Sequence, residues 1–169
     1  ATQAAGVQAF EAAGLEDRWI LSRFNRVAQE MNEAIQTYRF DNACHVIYQF
    51  FWGEFCDWYL ELSKPVLLGS DGTAKDETRA VTAWVIRETA KLLHPVMPFI
   101  TEELWEQLGG SNQRLITAPW PALPASLVDA EASAELDWVV RLVSAPSSRT
   151  GTRKRPSLVT SKPSLKLKL

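Results

Sequence analysis

The feature that most constrains this chain is a pair of apolar stripes that step by three and four residues. The first runs Ile20, Phe24, Val27, Met31, Ile35 and Tyr38. The second runs Cys44, Ile47, Phe50, Phe51, Phe55, Trp58, Tyr59 and Leu62. A strand alternates faces every residue, so only a helix gathers side chains at this spacing onto one face. Within the second stripe, "FFWGEFCDWYLELSKP" (Phe50–Pro65) carries Glu54, Asp57 and Glu61 at the same three-and-four spacing. Those acids are expected to share the opposite, solvated face, so the stretch reads as a buried central helix and not as a membrane anchor.

The punctuation around the stripes supports the same class. Asp17 reads as the N-cap of the first helix and Asp41 as that of the second. Lys64 and Pro65 end the second helix, and Gly69–Gly72 form a turn. A third helix is expected from about Lys75 to His94, with Val81, Trp84, Val85, Ile86, Leu92 and Leu93 on a wide apolar face. Pro95 and Pro98 break it, and a short helix follows from Pro98 to Leu108 with Gly109–Gly110 behind it. "RLITAPWPALP" (Arg114–Pro124) is extended, because Pro119, Pro121 and Pro124 deny it a helix. A last helix covers about Asp129 to Ser144. No strand pattern and no internal repeat is visible, so the class is all-α, an antiparallel helix bundle with an extended Pro-rich connection.

Charge divides the chain further. Residues 1–144 hold 11 Lys and Arg against 20 Asp and Glu, whereas residues 145–169 hold 7 Lys and Arg and no acid. The expected organisation is a linker or frayed helix end at 1–16, a helical domain at 17–144 and a basic, Ser- and Pro-rich tail at 145–169. The composition of that tail is that of a disordered segment. No run of about 18 uncharged apolar residues occurs and no secretion leader opens the chain, so a cytoplasmic location is the expectation.

Site chemistry is sparse. Cys44 and Cys56 would lie about 18 Å apart along one helix, too far for a disulfide. Cys44, His45, Cys56 and His94 lack the paired spacing of a metal site, so no metal is expected. There is no glycine-rich phosphate loop and no nucleophile elbow. His94, before Pro95, reads as a helix-ending residue, and Glu102 and Glu103 as first-turn acids favoured by the helix dipole. No catalytic residue is assigned. The residues alone describe a binding or scaffold domain.

Two longer motifs carry a resemblance. "YRFDNACHVIYQFFWGEFCDWYLELSKP" (Tyr38–Pro65) and "LLHPVMPFITEELWEQL" (Leu92–Leu108) are similar to the anticodon-binding domain of valyl-tRNA synthetase, a class I aminoacyl-tRNA synthetase. "DRWILSRFNR" before them and "LITAPWP" after them fit the same family in the same order. The resemblance covers about Asp17 to Ser144. It implies a helical bundle that docks the anticodon arm of valine tRNA and positions that tRNA for a catalytic domain. The HIGH and KMSKS signatures of that catalytic domain do not occur in this sequence. The fragment alone is therefore expected to hold no cofactor and not to aminoacylate, whereas the parent enzyme would use ATP and magnesium. The expected partners are the valine tRNA anticodon arm and the parent's catalytic domain, with no membrane. The alternatives are the same domain of an isoleucyl or leucyl enzyme, against which "FFWGEFCDWYLEL" argues, or a helical protein-interaction bundle with no RNA role.

An acidic body is a poor general binder of polyanions, so RNA would need a local patch. Arg23 and Arg26 share one face of the first helix, and Arg39 and Phe40 sit at its C-terminal junction. A cation beside an aromatic ring suits a splayed loop, guanidinium to phosphate and ring to base. The alternative for Phe40 is a staple onto the next helix. Arg87 and Lys91 form a second small basic patch, or else a solvated helix face.

Overall fold

The computed structural model describes residues 12–109, 113–121, 123 and 128–144. Among the described residues six α-helices order as α1 (Leu15–Gln36), α2 (Phe40–Tyr48), α3 (Leu60–Leu68), α4 (Thr73–Leu93), α5 (Pro98–Gln107) and α6 (Ala130–Ser144). A π-helix, Gln49–Tyr59, joins α2 to α3, and a single 3-10 turn, Leu115–Thr117, opens the segment that holds the prolines. Among the described residues there is no strand. The fold is the all-α bundle expected. The tail at 145–169 and residues 1–11 lie outside the described residues.

One core unites the helices. Trp19, Ile20, Phe24 and Met31 of α1 meet Ile47 of α2, Phe50, Phe55 and Tyr59 of the π-helix, Val81, Val85 and Leu92 of α4, and Leu136 of α6, all buried. Phe24 stands edge-on to both Phe50 and Trp84, at 5.6 and 5.4 Å between ring centroids. Such offset rings add to the burial of their area. A smaller cluster of Ala90, Trp105 and Leu115 seats α5 on the end of α4.

The π-helix is the main departure from the expected pattern. π-helices are rare and seldom exceed one turn. Here the wider turn stacks Phe51 on Phe55 and Phe55 on Tyr59, at 5.7 and 5.5 Å with near-parallel rings. It also moves Glu54 off the solvated face assigned by 3.6-residue spacing. Glu54 is half-buried against Arg23, while Asp57 and Glu61 remain exposed. Cys44 is exposed and Trp58 half-buried, so the buried aromatic face is narrower than the spacing implies. Pro65 does not end the helix, which runs on to Leu68. The proline removes one ladder donor close to the end, and its ring lies exposed, where a displaced carbonyl can turn to water.

Asp17 is not the first cap. Helix α1 begins two residues earlier, and Glu77 of α4 receives the backbone N–H groups of Ala13 and Gly14 at 2.7 and 3.0 Å. Asp17 is buried instead. It accepts a 2.6 Å hydrogen bond from the Tyr59 hydroxyl and a 2.8 Å bond from Thr78 Oγ1. Burial pushes its carboxyl above the ordinary aspartate value of 3.8. Desolvation, followed by the Asp17 carboxylate, pushes the Tyr59 phenol well above its usual range. At the other end Asp129, expected as the first residue of the last helix, caps α6 through Ala132 N–H at 2.9 Å.

Tyr59→Phe leaves an Asp17 oxygen without its donor and is expected to cost about 1–3 kcal/mol in urea melts. The folded state holds the Asp17 proton more tightly than the unfolded state. Its contribution is therefore complete below about pH 4 and is lost as pH rises through the folded value. Asp17→Asn, which cannot ionise, is expected to flatten that decline, seen as a smaller drop in urea midpoint from pH 4 upward.

Candidate nucleic-acid interface

Three of the predicted arginines come together. Helices α1 and α2 pack along a seam that holds two shallow hollows, of 210 and 160 Å³. The larger is lined by Arg23, Arg26, His45, Gln49 and Glu54, the smaller by Arg39, Asn42 and Thr37. Both include Glu30 and Val46, so they run into one another. The seam is a groove lined by three arginines and by Glu30, Glu33 and Glu54.

These arginines are not equivalent. Arg23 is held side-on by Glu54, with its Nε 2.8 Å from one carboxylate oxygen and its Nη2 on the other. Asp137 of α6 stands 3.9 Å from its Nη1. The hydrogen bonds to Glu54 raise the Arg23 pKa further above its ordinary value. Its charge is spent inside the protein. Arg26 and Arg39 are exposed, and among the described residues neither forms an ion pair. They are the cations the groove offers to a ligand.

At the Arg39 end lies a feature the spacing misread. Tyr38 extends the first apolar stripe, yet it is 80 % exposed and stands at φ 57°, in the left-handed region. That conformation disfavours any side chain with a Cβ. Helix α1 stops at Gln36, and the Arg39 N–H returns to the Ala34 carbonyl at 2.8 Å. The chain thereby reverses so that Phe40 opens α2. Phe40 is 57 % exposed and meets the Tyr38 ring edge-on, 6.3 Å between centroids. Tyr38, Arg39 and Phe40 thus present two exposed rings around one cation at the mouth of the groove. A strained, exposed aromatic is a pointer to function. A helix break right after the stripe could have exposed Tyr38 to sequence reasoning, but no periodic pattern marks where a helix stops short.

The second basic patch lies elsewhere. Arg87 and Lys91 cover the buried Trp105 ring of α5, at 5.1 and 5.8 Å from its centroid. Lys91 also pairs with Glu88 at 2.5 Å. These cations join α4 to α5 and are not brought to the α1–α2 groove. Nearby, the His94 ring meets Thr101 Oγ1 at 2.8 Å, which fixes the turn between those helices. Glu102 accepts the N–H groups of Leu115 and Ile116, both at 3.0 Å, and these bonds hold its carboxyl below the usual range. It caps the 3-10 turn.

Among the described residues no group of three or more His, Cys, Asp or Glu could hold a metal ion, and no helix is long and apolar enough to cross a membrane. Both cysteines are free thiols.

Residues 17–161 match the model of a family described as the anticodon-binding domain of tRNA ligase. The chain belongs to that family. The match starts at Asp17, where the sequence resemblance starts, and runs past Ser144. Among similar proteins, the valine–tRNA ligase of Caulobacter vibrioides is 50 % identical over 131 residues, covering 75 % of this chain and 14 % of that protein. The valine–tRNA ligase of Rhizorhabdus wittichii is 46 % identical over 142 residues, covering 83 % of this chain and 16 % of the relative. That of Bradyrhizobium diazoefficiens is 51 % identical over 120 residues, or 71 % and 12 %. The chain therefore spans a small part of the length of these relatives.

Tyr38→Gly removes the left-handed strain and an exposed ring that packs on no core residue. Relief of that strain, about 1 kcal/mol, is offset in part by the entropy of glycine in the unfolded chain. The variant is expected to be as stable as the parent or up to about 1 kcal/mol more stable in urea melts, while RNA binding falls.

Proposed function

We propose that this chain is the anticodon-binding domain of a valine–tRNA ligase, and that the α1–α2 groove holds the anticodon arm of valine tRNA. The observation that carries the reading is the Tyr38–Arg39–Phe40 corner, two exposed rings and an unpaired cation at the end of an arginine-lined seam. A single-stranded loop can splay its bases onto rings, and such stacking contributes about 1–3 kcal/mol per base. Arg39 and Arg26 then meet phosphates on either side. Arg23 belongs to the scaffold that sets the groove's shape.

The mechanism is positioning. The domain fixes one end of the tRNA so that the distant acceptor end reaches a catalytic domain in the remainder of a longer ligase. ATP and magnesium would act there, and this chain by itself is expected to show no valine-dependent exchange of pyrophosphate into ATP. Its relatives' names and their coverage support this reading, because the matched part is 12–16 % of each of the three proteins.

The test is titration of valine tRNA and an unrelated tRNA at several salt concentrations. Phe40→Ala is expected to weaken valine tRNA about tenfold, near the middle of the stacking range. Arg39→Ala is expected to reduce the preference for valine tRNA and to lower the slope of log affinity against log salt by about 0.7–0.9, one phosphate contact. Deleting residues 145–169 is expected to flatten the salt dependence for both tRNAs alike. If the tail deletion abolishes the preference and Arg39→Ala preserves it, recognition lies in the tail and not at the corner.

A further inference from the structure

The charges of the α1–α2 groove follow a definite order. Arg26, Glu30, Glu33 and Thr37 succeed one another at steps of four, three and four, so they share one face of α1 and form one wall. Arg26 lines only the larger hollow and Arg39 only the smaller, whereas Glu30 lines both. A carboxylate therefore stands between the two unpaired cations, beside the buried side chains of Val27 and Phe50. Glu30 is exposed, and among the described residues it makes no hydrogen bond and no ion pair. Arg26 is four residues before it on the same helix. An arginine that precedes an acid at that spacing is the weaker orientation for a pair, and no pair forms here.

A free carboxylate in this place works against phosphate, so a groove that held RNA by charge alone would gain nothing from it. Its chemistry suits a base instead. An ionised carboxylate accepts hydrogen bonds and donates none. Adenine, cytosine and guanine each carry an exocyclic amino group on the edge that a splayed base presents, whereas uracil sets a single N–H between two carbonyl oxygens. We propose that Glu30 is a specificity-determining residue, which accepts the amino group of one unstacked base and turns uracil away. This rests on the groove being the seat of the anticodon arm. Glu30 lies about 6 Å along the helix axis from Arg26, so phosphate and base are met on successive turns of α1. A fixed acceptor rejects a partner that brings a second acceptor, because both are then left without a donor away from water. Arg26 and Arg39 supply attraction that any RNA satisfies, and the carboxylate between them makes the attraction conditional on the base.

The experiment titrates the full chain with a synthetic hairpin of the valine tRNA anticodon arm. It is repeated with hairpins in which each loop base that is not already uracil is replaced by uracil in turn. For the unsubstituted chain, replacement at one loop position is expected to weaken binding about tenfold, the scale of a hydrogen bond to a charged group. Glu30→Gln alters one exposed side chain, and its amide can turn an N–H toward a uracil carbonyl. Loss of the negative charge strengthens every hairpin together, so the quantity read is the ratio of affinities between the original hairpin and each uracil hairpin. Glu30→Gln is expected to bring that ratio from about tenfold down to about twofold or less at the one position and to leave it unchanged at the others. A ratio that survives Glu30→Gln at every position overturns the proposal. A chain that tolerates uracil at every position also overturns it, since the carboxylate is then only a general repeller of RNA. Phe40→Ala and Arg39→Ala are titrated alongside. If they weaken the original hairpin while the ratio ignores Glu30, this proposal fails and the groove reading stands. If neither weakens it, the RNA sits elsewhere and both fail.

Discussion

Asp17 is the carboxylate on which the bundle is assembled. It lies buried in α1 and is held by Tyr59 from the π-helix and Thr78 from α4. Taking a carboxylate out of water is costly unless hydrogen bonds replace the lost solvent. The two donors come from two different elements, so the cost is met only when all three helices are in register. A few residues away Glu77 reaches back from α4 to the free N–H groups at the start of α1. Glu77 thereby ties the two residues that lead into α1 to α4, and Asp17 ties the first turn of α1 to the π-helix and α4. About two turns further along the same helix, Arg23 and Arg26 line the seam with α2.

The π-helix makes the second division of labour. By shifting Glu54 inward it gives Arg23 a bidentate partner, which takes that arginine out of the candidates and leaves Arg26 and Arg39 as the groove's unpaired cations among the described residues. The seam of α1 and α2 is mixed in charge, with Glu30, Glu33 and Glu54 lining it beside Arg23, Arg26 and Arg39. What it can offer a polyanion is therefore local: Arg26 and Arg39, exposed and outside any ion pair among the described residues, with the Tyr38 and Phe40 rings at one end. Such a patch acts over a screening length of about 8–10 Å, whatever the net charge of the domain.

Much of the fold was legible in the sequence because burial sets helical periodicity. The helix order, the two-proline corner after α4 and the short α5 all follow from apolar spacing and from where proline and glycine fall. What escaped was whatever depends on a partner distant in the chain. Asp17 reads as a cap only until Tyr59 and Thr78 are placed around it, and the N-cap position falls instead on Gly14, whose N–H is bound by Glu77 of α4. Glu54 and Trp58 shift because a π-turn changes the angular step, and no residue pattern announces that register change. Pro65 sits near enough to a helix end for the last turn to continue past it. Of the candidate site, Arg39 and Phe40 were visible as a cation–aromatic junction and Arg26 as a cation sharing a helix face with Arg23, but Tyr38 was hidden by its fit to the apolar stripe. Arg87 and Lys91 have the right chemistry and the wrong neighbour, since Trp105 lies 18 and 14 positions further along the chain.

The bonds between α1 and α6 carry a consequence for how the domain is made. Arg18 meets Asp129 and Ser22 meets Ser133, each across 111 positions, and Trp19 meets Asp137 across 118. On a ribosome adding about 5–20 residues per second, the outer side of the first helix waits on the order of ten seconds for its last neighbour to emerge. During that interval the indole of Trp19 and the carbon stem of Arg18 stand uncovered on a nascent polypeptide. The order of synthesis thus leaves this closure to α6, and a chain halted before α6 would carry a sticky flank for chaperones to shield.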